Sequence, residues 1–101
     1  MNAKQELQRH FDMIGKKPVC AMIYDSGGLG DMNITLKKGY TDQEFEKFME
    51  DLDFEYDAGW GSQCIGGTVW FGDGTWLTRN EYDGSEWWAY LYTPKIPDHL
   101  L

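Results

Sequence analysis

Three aromatic and β-branched segments near the C-terminal end of the chain constrain the fold more than any other feature. They are residues 64–71, 75–81 and 86–92. The sequences Gly72-Asp73-Gly74 and Asp83-Gly84-Ser85 separate them, and both favour tight turns because Gly and Asp tolerate the backbone angles that such turns require. The pattern therefore predicts two hairpins and a three-stranded antiparallel meander. Pro94 and Pro97 end the meander because proline cannot donate to a strand ladder.

A helix is predicted close to the N-terminus. Leu7, Phe11 and Ile14 recur at the spacing of one helical face. Gly15 follows them as a stop signal. The predicted helix therefore covers Ala3–Ile14.

Two strands are predicted after this helix. The apolar run Val19–Tyr24 has strand length. Met32, Ile34 and Leu36 alternate with polar residues at the period of a half-buried strand. The glycines around Ser26-Gly27-Gly28 predict a hairpin loop between the two strands rather than a phosphate-binding loop, because the segment that follows reads as a strand and not as a helix.

The clearest local signal is a capping box formed by Thr41 and Glu44. In this motif the Thr hydroxyl accepts from the backbone N–H of the Glu, and the Glu carboxylate accepts from the backbone N–H of the Thr. It predicts a second helix whose apolar residues fall on one face. These residues are Phe45, Phe48, Met49 and Leu52. Phe54 and Tyr56 then alternate with acidic residues, which predicts a further strand.

These elements together predict a single α+β domain over residues 1–101. Their order lacks regular βαβ alternation, so the sheet is expected to be mainly antiparallel. We expect five or six strands, a C-terminal β-meander and two helices packed on the sheet. The hydrophobic content of 42% and the aromatic content of 16% supply enough apolar surface for one packed core.

The meander carries two motifs, GTVWFGDGTW at Gly67–Trp76 and EYDGSEWW at Glu81–Trp88, followed by Ile96-Pro97. This segment, about residues 63–97, resembles a part of small uncharacterised acidic proteins of bacteria and their phages. That group has no established activity, so the resemblance implies a bacterial or phage origin but no mechanism. In such a setting a counter-defence inhibitor, comparable to an anti-CRISPR protein, is expected by association alone.

The charge of the chain disfavours several partner classes. The net charge of −8 opposes direct binding to nucleic acid or to an anionic membrane. The imbalance is local, because residues 1–41 contain six Lys and Arg against four Asp and Glu, whereas residues 42–101 contain three against thirteen. No apolar run approaches the roughly 18 residues of a membrane span, and Met1–Gln8 is too polar for a secretion signal, so we expect a cytoplasmic location.

A catalytic or metal centre is not predicted. The histidines are His10 and His99, and no spacing in the sequence places them beside Cys20 or Cys64. Nucleophilic catalysis needs a base next to the nucleophile, and zinc sites usually contain closely spaced ligand pairs. We therefore expect no catalytic residue, no metal and no cofactor. In a reducing cytoplasm the two cysteines are expected to be buried thiols rather than a disulfide.

A carboxylate-based hydrolase or a carbohydrate-binding module is one alternative. A pair of carboxylates can hydrolyse a glycosidic bond beside tryptophan rings that stack on the sugar. The candidate carboxylates are Glu55, Asp57, Asp73, Glu81 and Asp83. Asp73 and Asp83 precede Gly in predicted turns, however, and Asp in that position usually serves local hydrogen bonding.

Two features favour binding of another protein. Residues 42–57 contain eight carboxylates and one Lys, and they form either a solvated surface or a negative patch that docks onto a basic partner by imitating nucleic-acid phosphates. The five tryptophans all lie between Trp60 and Trp88. Trp87 and Trp88 are adjacent in a predicted strand and must point to opposite faces. The sheet is therefore either covered on both sides or presents aromatic rings to a partner.

The function predicted from the sequence is that of a small acidic, non-catalytic inhibitor that occludes a basic, nucleic-acid-handling protein. The candidate partner-binding residues are Asp42, Glu46, Glu50, Asp53, Glu55, Asp57, Trp60, Trp76 and Trp88. A toxin-neutralising immunity protein would suit the same acidic balance. A homodimer formed through an aromatic face is a further alternative.

Overall fold

The structure, a computed structural model, describes residues 1–25, 32–56, 64–82, 85–93 and 96–100. Its elements are α1 (Ala3–Ile14), β1 (Cys20–Asp25), β2 (Asn33–Leu36), α2 (Asp42–Asp51), β3 (Ile65–Trp70), β4 (Trp76–Tyr82), β5 (Ser85–Leu91) and a short 3-10 helix (Asp98–Leu100). The strands form one antiparallel sheet in the order β2-β1-β3-β4-β5. The predicted α+β class, the meander and the two helices are confirmed.

Local capping explains where α1 begins and ends. The side chain of Asn2 accepts a hydrogen bond from the backbone N–H of Gln5 at 2.9 Å, which satisfies one of the free donors of the first turn. At the other end Gly15 adopts a φ of 74°, and its N–H bonds to the carbonyl of Phe11 at 2.8 Å. The helix therefore has the bounds that the sequence predicts.

The predicted capping box begins α2. The backbone N–H of Glu44 donates to the Thr41 hydroxyl at 3.1 Å, and the backbone N–H of Thr41 donates to the Glu44 carboxylate at 3.0 Å. On the apolar face of the helix Phe48 and Met49 are buried, as is Leu52 just beyond it, whereas Phe45 is half-buried. Three of the four predicted positions thus lie fully in the core.

The strand register divides the side chains between two faces of the sheet. Ala21, Val69 and Leu77 are cross-strand neighbours in β1, β3 and β4, and all three are buried beneath the helices. We call this side the covered face. The opposite side, which we call the open face, carries the alternate residues of each strand. Its residues are Cys20, Met22, Tyr24, Asn33, Thr35, Gly66, Thr68, Trp70, Trp76, Thr78, Asn80, Tyr82, Ser85, Trp87, Ala89 and Leu91.

Both helices pack into one hydrophobic core on the covered face. The Phe11 ring of α1 lies 6.3 Å from the Phe45 ring of α2 and 6.2 Å from the Phe71 ring, which follows β3. The Phe11–Phe71 pair is edge-to-face, a geometry that aromatic quadrupoles favour. The helices therefore lie side by side over the sheet.

The strand predicted at Phe54 and Tyr56 is wrong. The backbone N–H of Ala3 donates to the Phe54 carbonyl at 2.9 Å, and that of Tyr56 donates to the Met1 carbonyl at 2.8 Å. The segment makes a single β-bridge, between Glu55 and Asn2. Its long-range backbone hydrogen bonds go to Met1 and to Ala3, the first residue of α1, and not to a strand of the sheet.

Candidate binding surfaces

Three carboxylates of α2 form a continuous row on the surface. Asp42, Glu46 and Glu50 recur every four residues, so they lie on one side of the helix, and all three are exposed. Within the described residues none of the three makes a hydrogen bond or an ion pair. We call this row the acidic stripe.

The remaining carboxylates of α2 have local partners. Hydrogen bonds from the backbone and side chain of Thr41 lower the pKa of Glu44, which fixes this carboxylate at the helix N-terminus. Asp51 accepts from Lys47 at 2.6 Å, one turn earlier on the same helix. These groups stabilise α2 itself, which distinguishes them from the acidic stripe.

The acidic residues that follow α2 are joined to the N-terminal segment. Asp53 accepts from the side-chain amide of Asn2 at 2.9 Å. The Glu55 carboxylate lies 3.3 Å from the Met1 ammonium group, and the Glu55 side chain is largely exposed. Asp57 lies outside the described residues.

The structure corrects the assignment of the tryptophans. Trp88, a candidate partner-binding residue, is only 4% exposed and cannot present its ring to a partner in this fold. Its neighbour Trp87 is 39% exposed and lies on the open face. Trp76 also lies on the open face but is half-buried, and Trp60 falls outside the described residues. The prediction that Trp87 and Trp88 point to opposite sides is correct, but the exposed residue of the pair is Trp87.

The open face is uncharged at every described strand position, in a chain of which 26% of the residues are charged. Its side chains are aromatic, aliphatic, hydroxyl or amide groups. Several large side chains are substantially exposed there. They are Met22 at 44%, Tyr24 at 42%, Trp70 at 41%, Tyr82 at 76%, Trp87 at 39% and Leu91 at 39%. Exposed apolar groups gathered on one flat face are typical of an interaction surface.

The acidic stripe and the open face lie on different sides of the molecule. The helices cover one face of the sheet, and the stripe is on the exposed side of α2. The exposed aromatic rings point away from the helices. The sequence predicts that these carboxylates and aromatic residues bind one partner together, but the structure places them on different sides of the molecule.

A buried ion cluster, not predicted from the sequence, joins the helix layer to the sheet. We use this name for Glu6, Tyr56, Arg79 and Glu86. The Arg79 guanidinium donates to Glu6 at 3.1 Å, to the Tyr56 hydroxyl at 3.0 Å and to Glu86 at 2.6 Å. The Tyr56 hydroxyl in turn donates to Glu6. The Arg79 side chain is 1% exposed, that of Glu6 6% and that of Glu86 0%, so the ion pairs are shielded from water.

Further contacts satisfy most of this cluster. The Glu86 carboxylate also accepts from the backbone N–H groups of Cys64 at 2.5 Å and Ile65 at 3.0 Å. Trp88 lies beside Arg79 on the covered face, and the Arg79 guanidinium is 5.0 Å from the centre of the Trp88 ring, which is a cation–π contact. Burial, with the hydrogen bond to Glu6, raises the pKa of Tyr56. The phenol therefore stays protonated and acts as a donor.

The turn between β3 and β4 contains Asp73, an exposed carboxylate that both Thr75 and Lys16 hold in place. Asp73 accepts from the backbone and hydroxyl of Thr75 at 3.2 and 2.6 Å, and it pairs with Lys16 at the end of α1. The hydrogen bonds from Lys16 and Thr75 lower the pKa of Asp73 to about 2. The local turn role that the sequence predicts for Asp73 accounts for its bonds from Thr75, whereas the pair with Lys16 joins the turn to a distant part of the chain.

The hydrolase alternative requires two carboxylates beside a tryptophan ring. Among the described residues, grooves on the surface hold the carboxylate pairs Asp12 and Asp53, Glu46 and Glu50, and Glu44 and Asp51, and a tryptophan lines none of these grooves. No three His, Cys, Asp or Glu in the described ranges are grouped so that they could hold a metal ion. Cys20 and Cys64 are not joined in a disulfide and are half-buried, which is less burial than predicted.

Comparisons with known proteins identify no relative. No protein-family model matches the chain, and searches of curated proteins and of solved structures find no significant match. Among the helices that the structure describes, none has the length and apolar character needed to cross a membrane. The acidic stripe and the open face are therefore the features from which a function can be inferred.

Proposed function

We propose that this chain is a non-catalytic protein-binding domain that docks onto a basic protein through the acidic stripe. The observation that carries the proposal is that Asp42, Glu46 and Glu50 make no hydrogen bond or ion pair within the described residues, although the other carboxylates of α2 do. A row of this kind is open to the cationic side chains of another molecule.

The arrangement of the stripe is unfavourable for the isolated helix. Like charges four residues apart repel each other and destabilise a helix. Glu50 also lies in the last turn, where the helix dipole favours cations, and α2 has no basic residue there. Solubility alone requires negative charge somewhere on the surface but does not require it at these positions. A basic partner would relieve both effects, which favours a docking role.

The stripe also has the linear order expected of a phosphate mimic. Successive carboxylates are displaced by about 6 Å along the helix axis, given a rise of 1.5 Å per residue. Lys and Arg side chains that normally follow a nucleic-acid backbone could therefore pair with them in sequence. An inhibitor that occludes a nucleic-acid-handling protein, including a counter-defence inhibitor of the anti-CRISPR type, would act in this way. An immunity protein that blocks a basic toxin would use the same surface.

A charge-neutralising variant tests the proposal. Asp42→Asn, Glu46→Gln and Glu50→Gln would be combined and compared with a control in which Asp12, Glu81 and Asp98 are neutralised instead. Both variants lose three negative charges at exposed positions, but only the first loses the stripe. The wild-type chain and both variants would be used as bait in cells that naturally carry the chain, and association of any captured protein would be measured by surface plasmon resonance.

We expect the stripe variant to lose most of its association rate and the control to retain it, since charges near an interface act mainly on association. The wild-type rate should fall steeply once the salt concentration passes about 0.1 M, where the Debye length is roughly 10 Å. Melting temperatures should change little in either variant. A partner that binds the stripe variant as fast as the wild type would refute the proposal.

A further inference from the structure

The open face carries an inference that is independent of the acidic stripe. It is uncharged throughout its described positions, although the chain has a net charge of −8. Met22, Trp70, Trp87 and Leu91 are each between 39% and 44% exposed on it. A sheet face without a charge at any described strand position is suited to a contact from which charge is excluded.

We propose that the open faces of two copies of this chain pack against each other in a homodimer. Among the orientations in which two copies could meet, electrostatic repulsion favours contact through the open faces. Two chains of the same sign repel, and an approach through the helix sides would bring one acidic stripe against another. An approach through the open faces brings no described strand charge against any other, so the repulsion is smallest in this orientation.

The layer geometry keeps the charged sides of the two copies apart. Packed sheets lie about 10 Å apart, and the helix layer of each copy adds about 10 Å on each outer side. The two acidic stripes would then be separated by roughly 30 Å. Salt at physiological concentration screens charges beyond about 8 Å, so the remaining repulsion is small.

The area of the open face is large enough for the interface of a weak dimer. Five strands at a spacing of about 4.8 Å and roughly six residues long give a sheet of about 24 by 20 Å, or close to 500 Å² for each copy. Two copies would bury about 1,000 Å², the lower limit for a specific interface. We therefore expect a dissociation constant in the micromolar range. Each dimer would display two acidic stripes on its outer sides, which allows bivalent capture of a basic partner.

Methionine substitutions of both charge signs test the dimer. Met22→Glu and Met22→Lys each place a charge in the proposed contact. Met13→Glu and Met13→Lys are the matched controls, because Met13 is 68% exposed on α1, away from the open face. Sedimentation velocity over a series of micromolar concentrations would measure the mass, and circular dichroism would verify the fold. If the Met22 variants do not fold, the same pair of changes at Leu91, also on the open face, replaces them.

The wild-type mass should rise with concentration from 11.7 kDa towards twice that value. Both Met22 variants should weaken the dimer by about tenfold or more, because a charge of either sign is costly to bury without a partner. The Met13 variants should dimerise like the wild type. Added salt should leave the dimer intact or strengthen it, whereas capture of a basic protein through the stripe should weaken, so the two proposals can fail separately.

Three results would overturn the dimer. One is a wild-type chain that stays monomeric over the whole series. Another is a Met22→Lys variant that dimerises as well as the wild type, since net charge and not the open face would then control association. The third is a neutral oligosaccharide that binds the monomer and quenches the fluorescence of the exposed tryptophans, which would assign the face to a sugar.

Discussion

Replacement of Arg79 by Met tests whether the buried ion cluster holds the helix layer on the sheet. Met keeps the length and apolar character of the Arg stem but removes the guanidinium. Glu6 and Glu86 would then remain buried without their cation, although Glu86 would keep its bonds from the backbone N–H groups of Cys64 and Ile65. The variant therefore isolates the charge from the packing.

The expected loss of stability is large. Removal of one partner from a buried ion pair typically costs about 3–5 kcal/mol, because the remaining charge stays in a medium that solvates it poorly. The contacts of the guanidinium with the Tyr56 and Trp88 rings, at 5.6 and 5.0 Å, are lost at the same time. A domain of this size has a total stability of about 5–15 kcal/mol. The variant should therefore keep between almost none and about four fifths of the wild-type stability.

Urea denaturation at pH 7, followed by tryptophan fluorescence and by far-ultraviolet circular dichroism, would measure the change. Arg9→Met is the matched control, because Arg9 is an exposed residue of α1 and makes no ion pair among the described residues. Its free energy of unfolding should change by less than about 0.5 kcal/mol. An Arg79→Met variant within about 1 kcal/mol of the wild type would show that the cluster is not buried as described and would refute the reasoning.

Two further predictions concern the backbone and the pH response. Gly67→Ala should destabilise the fold more than Gly66→Ala. At Gly67 the φ is 145° and the new Cβ would collide with the backbone carbonyl of Met22, whereas at Gly66 the nearest atoms belong to the movable Tyr24 ring. Equal melting temperatures of the two variants would contradict this. Burial lowers the pKa of His10 below 6.5, so the unfolded chain takes up a proton first and stability should fall as pH decreases through 6.5. Proton NMR titration of the imidazole checks the sign, and a pKa above 6.5 would contradict it.

Much of the fold could be predicted from local sequence signals. The capping box at Thr41 specified where α2 begins, and the turn sequences between the C-terminal strands specified the hairpin order of β3, β4 and β5. These signals depend on backbone chemistry within a few residues, which a sequence displays directly. The partner of Phe54–Tyr56 was not predicted. Its backbone bonds to Met1 and Ala3, some fifty residues away, and no local pattern encodes that contact.

The sequence contains a signal for the buried ion cluster in the alternation of residues along β4 and β5. Arg79 shares its side of β4 with Leu77, and Glu86 shares its side of β5 with Trp88, so strand alternation already places an Arg and a Glu beside apolar core residues. Arg and Glu are usually exposed, so their position on the apolar side of the strands does not by itself indicate a buried ion pair. The prediction that Trp88 binds a partner is wrong for the same reason, because Trp88 is the cross-strand neighbour of the buried Arg79.

The ion cluster also bears on which residues reach the open face. A shift of one residue in strand pairing moves every side chain to the other side of a sheet. In β5 such a shift relative to β4 would move Trp87 into the core and expose Trp88, and apolar burial alone distinguishes the two registers weakly because each side of β5 carries a tryptophan. The cluster distinguishes them strongly, since the shift would separate Glu86 from Arg79. We therefore expect Arg79→Met, unlike Arg9→Met, to broaden the amide resonances of β4 and β5 as the two registers exchange; sharp single resonances would show that packing alone selects the face.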